Sequence, residues 1–518
     1  MSLGRLRHAT PRACNFDELP ECILQLIWKF LPLYDGASLA RASNRNNTAL
    51  HKETRSIRML RRVAKVDGEC IDKSLRRVTS IEEASIFSVS VEAVEHKTSK
   101  LLGACQAIGF ILQCSNFDEM EFSDGMCAST LRKMLRSVRH GSFESLCLTN
   151  TMGFLRCNQQ SQELMVELGK MKPRTIIFEE RYIGYERTLS CFLLTISTMQ
   201  TLSTIVIQNT CIQVAQSGHL ARAIRGCSEI SVSNCGLTSE HILVLSSVLE
   251  GSNVTYLDLN NNTLDCNGVN SLLLALAGAK HCLLRTLNLE STFDAMDTED
   301  GGTWDCATFY SFCKAQQGLE FLNLNSNFLQ DSFICNNRRA IESLKNLRSL
   351  HLASNLITDY GLSKLSSFRS RVADLDLSEN AIKSMPCRAF TSRLFHHVQE
   401  LHVGNSRLTS QALVTFTERA RVGGAFANIQ RLSMNNCNFA DANIDLIFQL
   451  VRKLARLVIL GLEDNHFSDF SHKFLCEQLE NVTNRGITFH MTENPIARTN
   501  KVPVPHFIIT SRSRGEER

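Results

Sequence analysis

Several things are scarce in this chain of 518 residues, and each scarcity closes a door. Proline occurs only 8 times, so Pro-rich linkers and polyproline segments are excluded. The net charge is only +4, too little for a chain of this length to be a generally basic nucleic-acid binder. No apolar run approaches the ~18–20 residues of a membrane span. The longest, at 272–279, is far too short, and the first fifteen residues lack the apolar stretch of a secretory signal. There is no Walker loop, no HExxH and no GxSxG, and the glycine pairs Gly301-Gly302 and Gly423-Gly424 fall between repeats. The acids near 294–305 lack the order of a calcium-binding loop. No catalytic residue, cofactor site or metal site is expected, and the chain reads as a non-catalytic binding subunit.

Cysteine is not scarce, with 20 residues, but no CxxC pair and no zinc-ligand spacing occurs among them. Several sit inside a repeat as small apolar residues, which suits reduced thiols and a cytoplasmic or nuclear location. Arg5, Arg7 and Arg12 precede the first acid, Asp17, so residues 1–15 read as a disordered basic tail, with a mitochondrial transit peptide as the alternative.

What is present is an internal repeat, L-x-x-L-x-L-x-x-N-x-L. Clear copies are Val254-Leu257-Leu259-Asn262-Leu264, Leu319-Leu322-Leu324-Asn327-Leu329 and Leu347-Leu350-Leu352-Asn355-Ile357. Val372-Leu375-Leu377-Asn380-Ile382 and Leu457-Leu460-Leu462-Asn465-Phe467 follow. Variants put Cys235, Cys437 or Thr210 at the Asn position, and fainter copies reach back to Phe143-Leu146-Leu148 and Ala107-Phe110-Leu112. Successive copies lie roughly 25–31 residues apart, close to the ~20–29 of leucine-rich repeats.

The two central leucines of each copy point inward from a short strand, because strand side chains alternate. The Asn turns the chain, and its amide can satisfy backbone groups of the neighbouring coil. A helix follows, as in Asn355-Leu-Ile-Thr-Asp-Tyr-Gly-Leu, where Thr358 or Asp359 can cap it. Another, at 443–455, collects Ile444, Ile447, Phe448, Val451 and Leu454 on one side. The chain resembles the ribonuclease-inhibitor type of leucine-rich repeat over residues 101–498. The expected fold class is therefore α/β, a solenoid with parallel strands inside and helices outside.

The residues between the leucines form columns on the open, concave face, where solenoids usually bind. Those columns hold Glu179, Glu229, Asp258, Glu290, Asp374, Asp376, Glu400 and Glu463 against a single arginine, Arg431. Tyr256 and Phe321 are candidate anchors, since aromatics dominate binding hot spots. The expected partner-binding residues are Glu229, Tyr256, Asp258, Glu290, Phe321, Asp374, Asp376 and Glu400. A basic protein target fits such a face, and nucleic acid does not, because phosphate needs Lys and Arg. The alternative is that the acidity only keeps the solenoid soluble. His351 and His402 share a column with Asp376 between them. At ~4.8 Å per strand their rings lie on the order of 10 Å apart, too far for a shared metal without bridging groups.

Residues 16–60 break the repeat. Pro20 suits a first helical turn, Ile23, Leu24, Ile27 and Leu31 follow at helical spacing, and Pro32 ends the helix. Leu19-Pro20-Glu21, the Ile23/Ile27/Leu31 stripe, Pro32-Leu33, Asp35, Leu39 and Ala42-Ser43 resemble the F-box. The resemblance implies an all-α module docking a Skp-type adaptor of a cullin complex through Leu19, Pro20, Ile23, Leu24, Ile27 and Leu33. The whole chain would then resemble an F-box/leucine-rich-repeat protein, the substrate-recognition subunit of an SCF-type ubiquitin ligase. The competing reading is a helical cap over the first coil of a scaffold or regulatory inhibitor. A GTPase activator and an RNA-associated F-box protein are remoter alternatives. The basic run from Arg55 to Arg62 reads as a solvated helix face. Residues 61–100 are expected to connect or cap, and 499–518 to form a C-terminal tail.

Overall fold

A computed structural model describes strands at 56–59, 85–92, 116–123 and 145–149, then residues 158–180, 186–279, 284–293, 305–365, 368–384, 394–420, 426–480, 486–495 and 507–510. The F-box-like residues 16–55 lie outside the described residues, as do Gly301-Gly302, Gly423-Gly424 and most of the acidic insert. The chain divides into two compact units. One comprises residues 1–210 with 222–224, the other residues 211–221 and 225–518.

In the first unit, six strands pair in parallel, each with the next. They are β1 (Ser56–Met59), β2 (Ser85–Glu92), β3 (Asn116–Ser123), β4 (Ser145–Thr149), β5 (Thr175–Glu179) and β6 (Thr204–Gln208). Helices α1 (Asn158–Leu168) and α2 (Glu186–Ile196) alternate with the later strands and pack on each other. β5 and β6 alternate half-exposed and buried side chains, and Ile176, Phe178, Ile205 and Ile207 are sealed inside.

Three elements here depart from the sequence reading. β1 occupies the basic run expected as a helix face. β2 lies in the segment expected only to connect; its sequence, Ser-Ile-Phe-Ser-Val-Ser-Val-Glu, is rich in the β-branched residues that favour strands. β3 sits beyond the expected Ala107-Phe110-Leu112 copy, which is outside the described residues, and pairs Met120 and Phe122 with Leu146 and Leu148.

The second unit carries α3 (Ser217–Ile224) at its start, shared with the first, and a longer ladder. Its strands are β7 (Glu229–Ser233), β8 (Tyr256–Asp258), β9 (Thr286–Asn288), β10 (Phe321–Asn323), β11 (Ser349–His351), β12 (Asp374–Asp376), β13 (Glu400–His402), β14 (Arg431–Ser433), β15 (Ile459–Gly461), β16 (Ile487–His490) and β17 (Phe507–Thr510). Every consecutive pair is parallel and in register, so Leu257, Leu287, Leu322, Leu350, Leu375, Leu401, Leu432 and Leu460 form one row. Those leucines are all but sealed from solvent, each contributing about 2 kcal/mol of burial.

The outer layer holds α4 (Ser239–Leu249), α5 (Cys266–Ala277), α6 (Cys306–Ala315), α7 (Asp331–Ser343), α8 (Asp359–Leu365), α9 (Ser410–Arg419), α10 (Ile444–Lys453) and α11 (Asp469–Glu480). In α10 the expected stripe, Ile444, Ile447, Phe448 and Val451 with Leu454 just beyond, is buried. The parallel, coil-by-coil arrangement is that of a leucine-rich-repeat solenoid.

Each coil turns on its Asn. The Asn355 amide donates to the carbonyls of Leu324 and Leu352, both at 3.0 Å, and its Oδ1 accepts from Asn327 N at 3.1 Å and Leu329 N at 2.9 Å. Asn262, Asn380 and Asn465 repeat the device. Where Asn is replaced, less is satisfied. The Cys437 thiol makes only long contacts, 3.4 Å to Asn435 O and 3.6 Å to Val403 O, while its backbone N–H donates to Asn465 Oδ1 at 3.0 Å. Burial pushes the Cys437 thiol up to about 12, which suits its role as a small apolar residue.

The residue before the Asn position of each coil has a left-handed backbone: Asn209, Asn234, Asn261, Ser291, Ser326, Ser354, Glu379, Asn405, Asn436, Asp464 and Glu493 all have φ between 48° and 61°. Asn and Asp tolerate this region best, and they take most of these positions.

A second set of links runs along the helix starts. Thr358 Oγ1 caps α8 by accepting from Tyr360 N at 3.1 Å. Asp359 instead reaches the next coil, accepting from Lys383 N and Ser384 N at 3.0 Å. Asp331 and Asp441 do the same for Thr358 and Ser468. Asp305, the last acid of the insert, caps α6 through Thr308 N.

Candidate functional site

The columns read from the sequence are those of the structure. The first runs Glu229, Tyr256, Thr286, Phe321, Ser349, Asp374, Glu400, Arg431, Ile459, and the second Ser231, Asp258, Asn288, Asn323, His351, Asp376, His402, Ser433, Gly461. Their chemistry differs from the expectation at several positions.

In the second column, Asp258, Asn288, Asn323 and Asp376 each turn one side-chain oxygen back to the backbone N–H two residues on, at 2.9–3.1 Å. These are Asx turns that satisfy the backbone where a strand ends. Asp258 is also buried, and its second oxygen accepts from Ser231 Oγ at 3.0 Å. It is therefore part of the framework and does not stand out as a contact residue. Glu290 accepts from Asn323 Nδ2 at 3.0 Å. In the first unit, Glu179 similarly takes bonds from Gln208 and Asn209.

Glu229 and Tyr256, adjacent in the first column, are exposed. Burial, with Asp258 and Glu229 nearby, raises the Tyr256 phenol above its usual range. Phe321 is half-buried and meets the His351 ring edge-on at 4.9 Å.

The densest group spans β11–β14. His351 Nε2 lies 2.8 Å from Asp374 Oδ2, and His402 Nε2 lies 4.0 Å from Asp374 Oδ1. Asp374, on the strand between the two histidines, thus joins rings that the sequence reading placed apart with Asp376 between them. The neighbouring columns of adjacent strands meet diagonally, which column-by-column reading overlooks. Glu400 Oε2 sits 3.5 Å from Arg431 Nη1 on the outer side.

Charge and burial act on this pair together. Burial alone would lower His351, but the hydrogen bond and charge of Asp374, with Asp376 and Glu290, raise it above an ordinary imidazole. Burial would raise Asp374, yet His351, then His402 and Ser349, hold it below an ordinary carboxyl. The histidines are therefore members of an ionic group and not isolated surface residues. The Skp-facing residues Leu19, Pro20, Ile23, Leu24, Ile27 and Leu33 lie outside the described residues.

No family model matches the sequence. Among curated proteins, the chain is 24% identical over 316 residues to the NACHT, LRR and PYD domains-containing protein 5 of Mus musculus, a match covering 57% of this chain and 24% of that protein. It is 26% identical over 231 residues to protein 14 of the same series from Mus musculus, covering 44% and 20%. The matches thus span about a quarter or less of these relatives' length. Among solved structures, an internalin from Listeria monocytogenes aligns with a TM-score of 0.37 at 15% identity, covering 68% of this chain and 89% of that one. TLR13 in its complex with ssRNA13 aligns at 0.40 and 11% identity, covering 86% and 65%. No helix among the described residues is long and apolar enough to cross a membrane.

Proposed function

We propose that this chain is a non-catalytic protein-interaction subunit that holds a basic protein target on the open face of its second unit. The observation that carries this reading is the group at Asp374, Asp376 and Glu400, where three acids on adjacent strands face one arginine, Arg431. Glu229 and Tyr256 extend the same first column on β7 and β8. Half-buried carboxylates on a low-dielectric surface focus a negative field, which favours lysine- and arginine-rich segments and repels phosphates. Phe321 and Tyr256 supply aromatic surface for anchoring.

The finer reading is substrate recognition within an SCF-type ubiquitin ligase, the adaptor docking on the N-terminal segment and the cullin complex supplying the chemistry. It rests on the F-box-like pattern of residues 19–43. Affinity purification of the full chain tests both levels at once. Adaptor and cullin recovered with the full chain, and lost with Ile23→Asp, support the ligase role. Adaptor retained after deletion of residues 16–50 removes it. Targets lost with Asp374→Asn plus Glu400→Gln, while adaptor binding persists, support the open-face site.

A second reading, a scaffold or regulatory inhibitor with no ubiquitin role, is favoured by one observation. Among the described residues the first strand of the parallel ladder is Ser56–Met59, which follows the helical pattern in sequence, where a solenoid needs a cap. Recovery of a stable complex without adaptor or cullin supports it.

A further inference from the structure

We propose that Asp374, Glu400 and His402 form a binding site for a divalent transition-metal ion, with zinc the best fit. Their donor atoms, a carboxylate oxygen from each acid and an imidazole nitrogen, all lie within 4.8 Å of one another. Ligands sharing a tetrahedral zinc at ~2.0–2.2 Å sit roughly 3.3 Å apart, so side-chain adjustments that shorten these separations by up to about 1.5 Å close the set. All three side chains are partly exposed, with the freedom to make it.

Two further features point to a cation. The first is the state of Asp374 Oδ1, which is buried and makes no hydrogen bond, its facing cation being His402 Nε2 at 4.0 Å. Several other acids on this face are hydrogen-bonded. Both oxygens of Asp258 are bonded, Asp376 accepts from Ser378 N, and Glu463 accepts from Asn435 and Thr492. A buried carboxylate oxygen left unpaired is costly unless something positive reaches it. The second is the way Asp374 is held. His351 fixes Oδ2 at 2.8 Å, which turns Oδ1 towards His402 Nε2 at 4.0 Å, too long for a hydrogen bond and roughly 0.7 Å beyond the separation of two ligands on one zinc. A ligand carboxylate oriented by a second hydrogen-bonding residue is how metal sites are built.

The donor set selects the ion. Calcium and magnesium take oxygen ligands, whereas one imidazole with two carboxylates suits zinc and its neighbours. Three protein ligands leave a fourth position open, which a side chain of a bound partner can take. Arg431 competes for Glu400, but as an exposed pair at 3.5 Å it is readily displaced.

The test uses the full-length chain, reduced and stripped with chelator, titrated with Co²⁺ and followed by visible absorption, with Zn²⁺ as competitor. The readout is the difference between the parent chain and each variant, which removes any cobalt held by cysteines elsewhere. Expected is one equivalent with the weak d–d bands of nitrogen and oxygen ligands, displaced by Zn²⁺. Affinity should drop at least tenfold in His402→Ala and in Asp374→Asn, about tenfold in His351→Gln, and not at all in Arg431→Ala. Circular dichroism confirms that the variants stay folded. The proposal is overturned if the difference spectrum is flat for both His402→Ala and Asp374→Asn, or if the difference carries a thiolate charge-transfer band.

Discussion

The same strands of the second unit present two polar systems, and they are opposites. At the coil turns, Asn262, Asn327, Asn355, Asn380 and Asn465 are buried and bonded to two coils at once. On the open face, His351, Asp374, Glu400, His402 and Arg431 are partly exposed, and one oxygen of Asp374 makes no hydrogen bond. The first system spends its polarity on holding coil to coil. The second keeps charge that the fold does not consume, and that remainder is what a ligand can use. A residue's type does not tell the two apart, since Asp258 belongs to the framework and Asp374 to the site.

The largest effect on stability comes from the turns. Asn355→Ala takes the side-chain partner from two backbone N–H groups and three carbonyls and should cost about 3 kcal/mol in urea denaturation of the full chain. A loss no larger than that of an open-face substitution would erase the distinction. Next is Ser326→Val. Ser326 sits at φ 56°, and a β-branched side chain there should cost about 1–2 kcal/mol, seen as a lower urea midpoint. Cys437→Asn is expected to act in the other direction, by up to about 1 kcal/mol, because an amide there can take up hydrogen bonds that the thiol makes poorly. A lower midpoint would show that the pocket has closed around sulfur.

The smallest effect on stability belongs to the open face. Asp374→Asn, measured with chelator present, should cost less than about 1 kcal/mol, and the cost should depend on pH. His351 is raised above its ordinary 6.5, so its contribution is complete below that value and fades as pH rises through the raised one. Asp374 is lowered below its ordinary 3.8, so its contribution is complete above that value and fades as pH falls through the lowered one. The difference between parent and variant should therefore peak between about pH 4 and 6.5 and shrink on either side. A flat profile would mean that the two groups are not coupled.

Much of this was legible from the residues. Leu322, Leu350 and Leu375 recur with the period of a coil, so their inward row and the columns beside it follow from alternation alone. The stripe of α10 was equally plain, because Ile444, Ile447 and Val451 obey helical spacing. The first unit was less so. Its strand at 116–123 alternates charged and apolar residues without the leucines that mark the later copies, and the basic residues of 55–62 concealed β1. The left-handed residue before each Asn has no signature in the leucine pattern. The Asx turns of Asp258 and Asp376 were hidden because a strand-end Asp looks the same whether it faces solvent or its own backbone.

The order of the residues along the chain therefore determined the repeat, its inward and outward faces, and the acidity of the open one, because alternation and coil period are local properties of the backbone. Only the tertiary structure decided that Asp374 stands between His351 and His402 and keeps one oxygen unbonded. That outcome depends on how neighbouring strands stack and which side-chain conformations they leave open, and these are set by contacts between residues more than twenty positions apart.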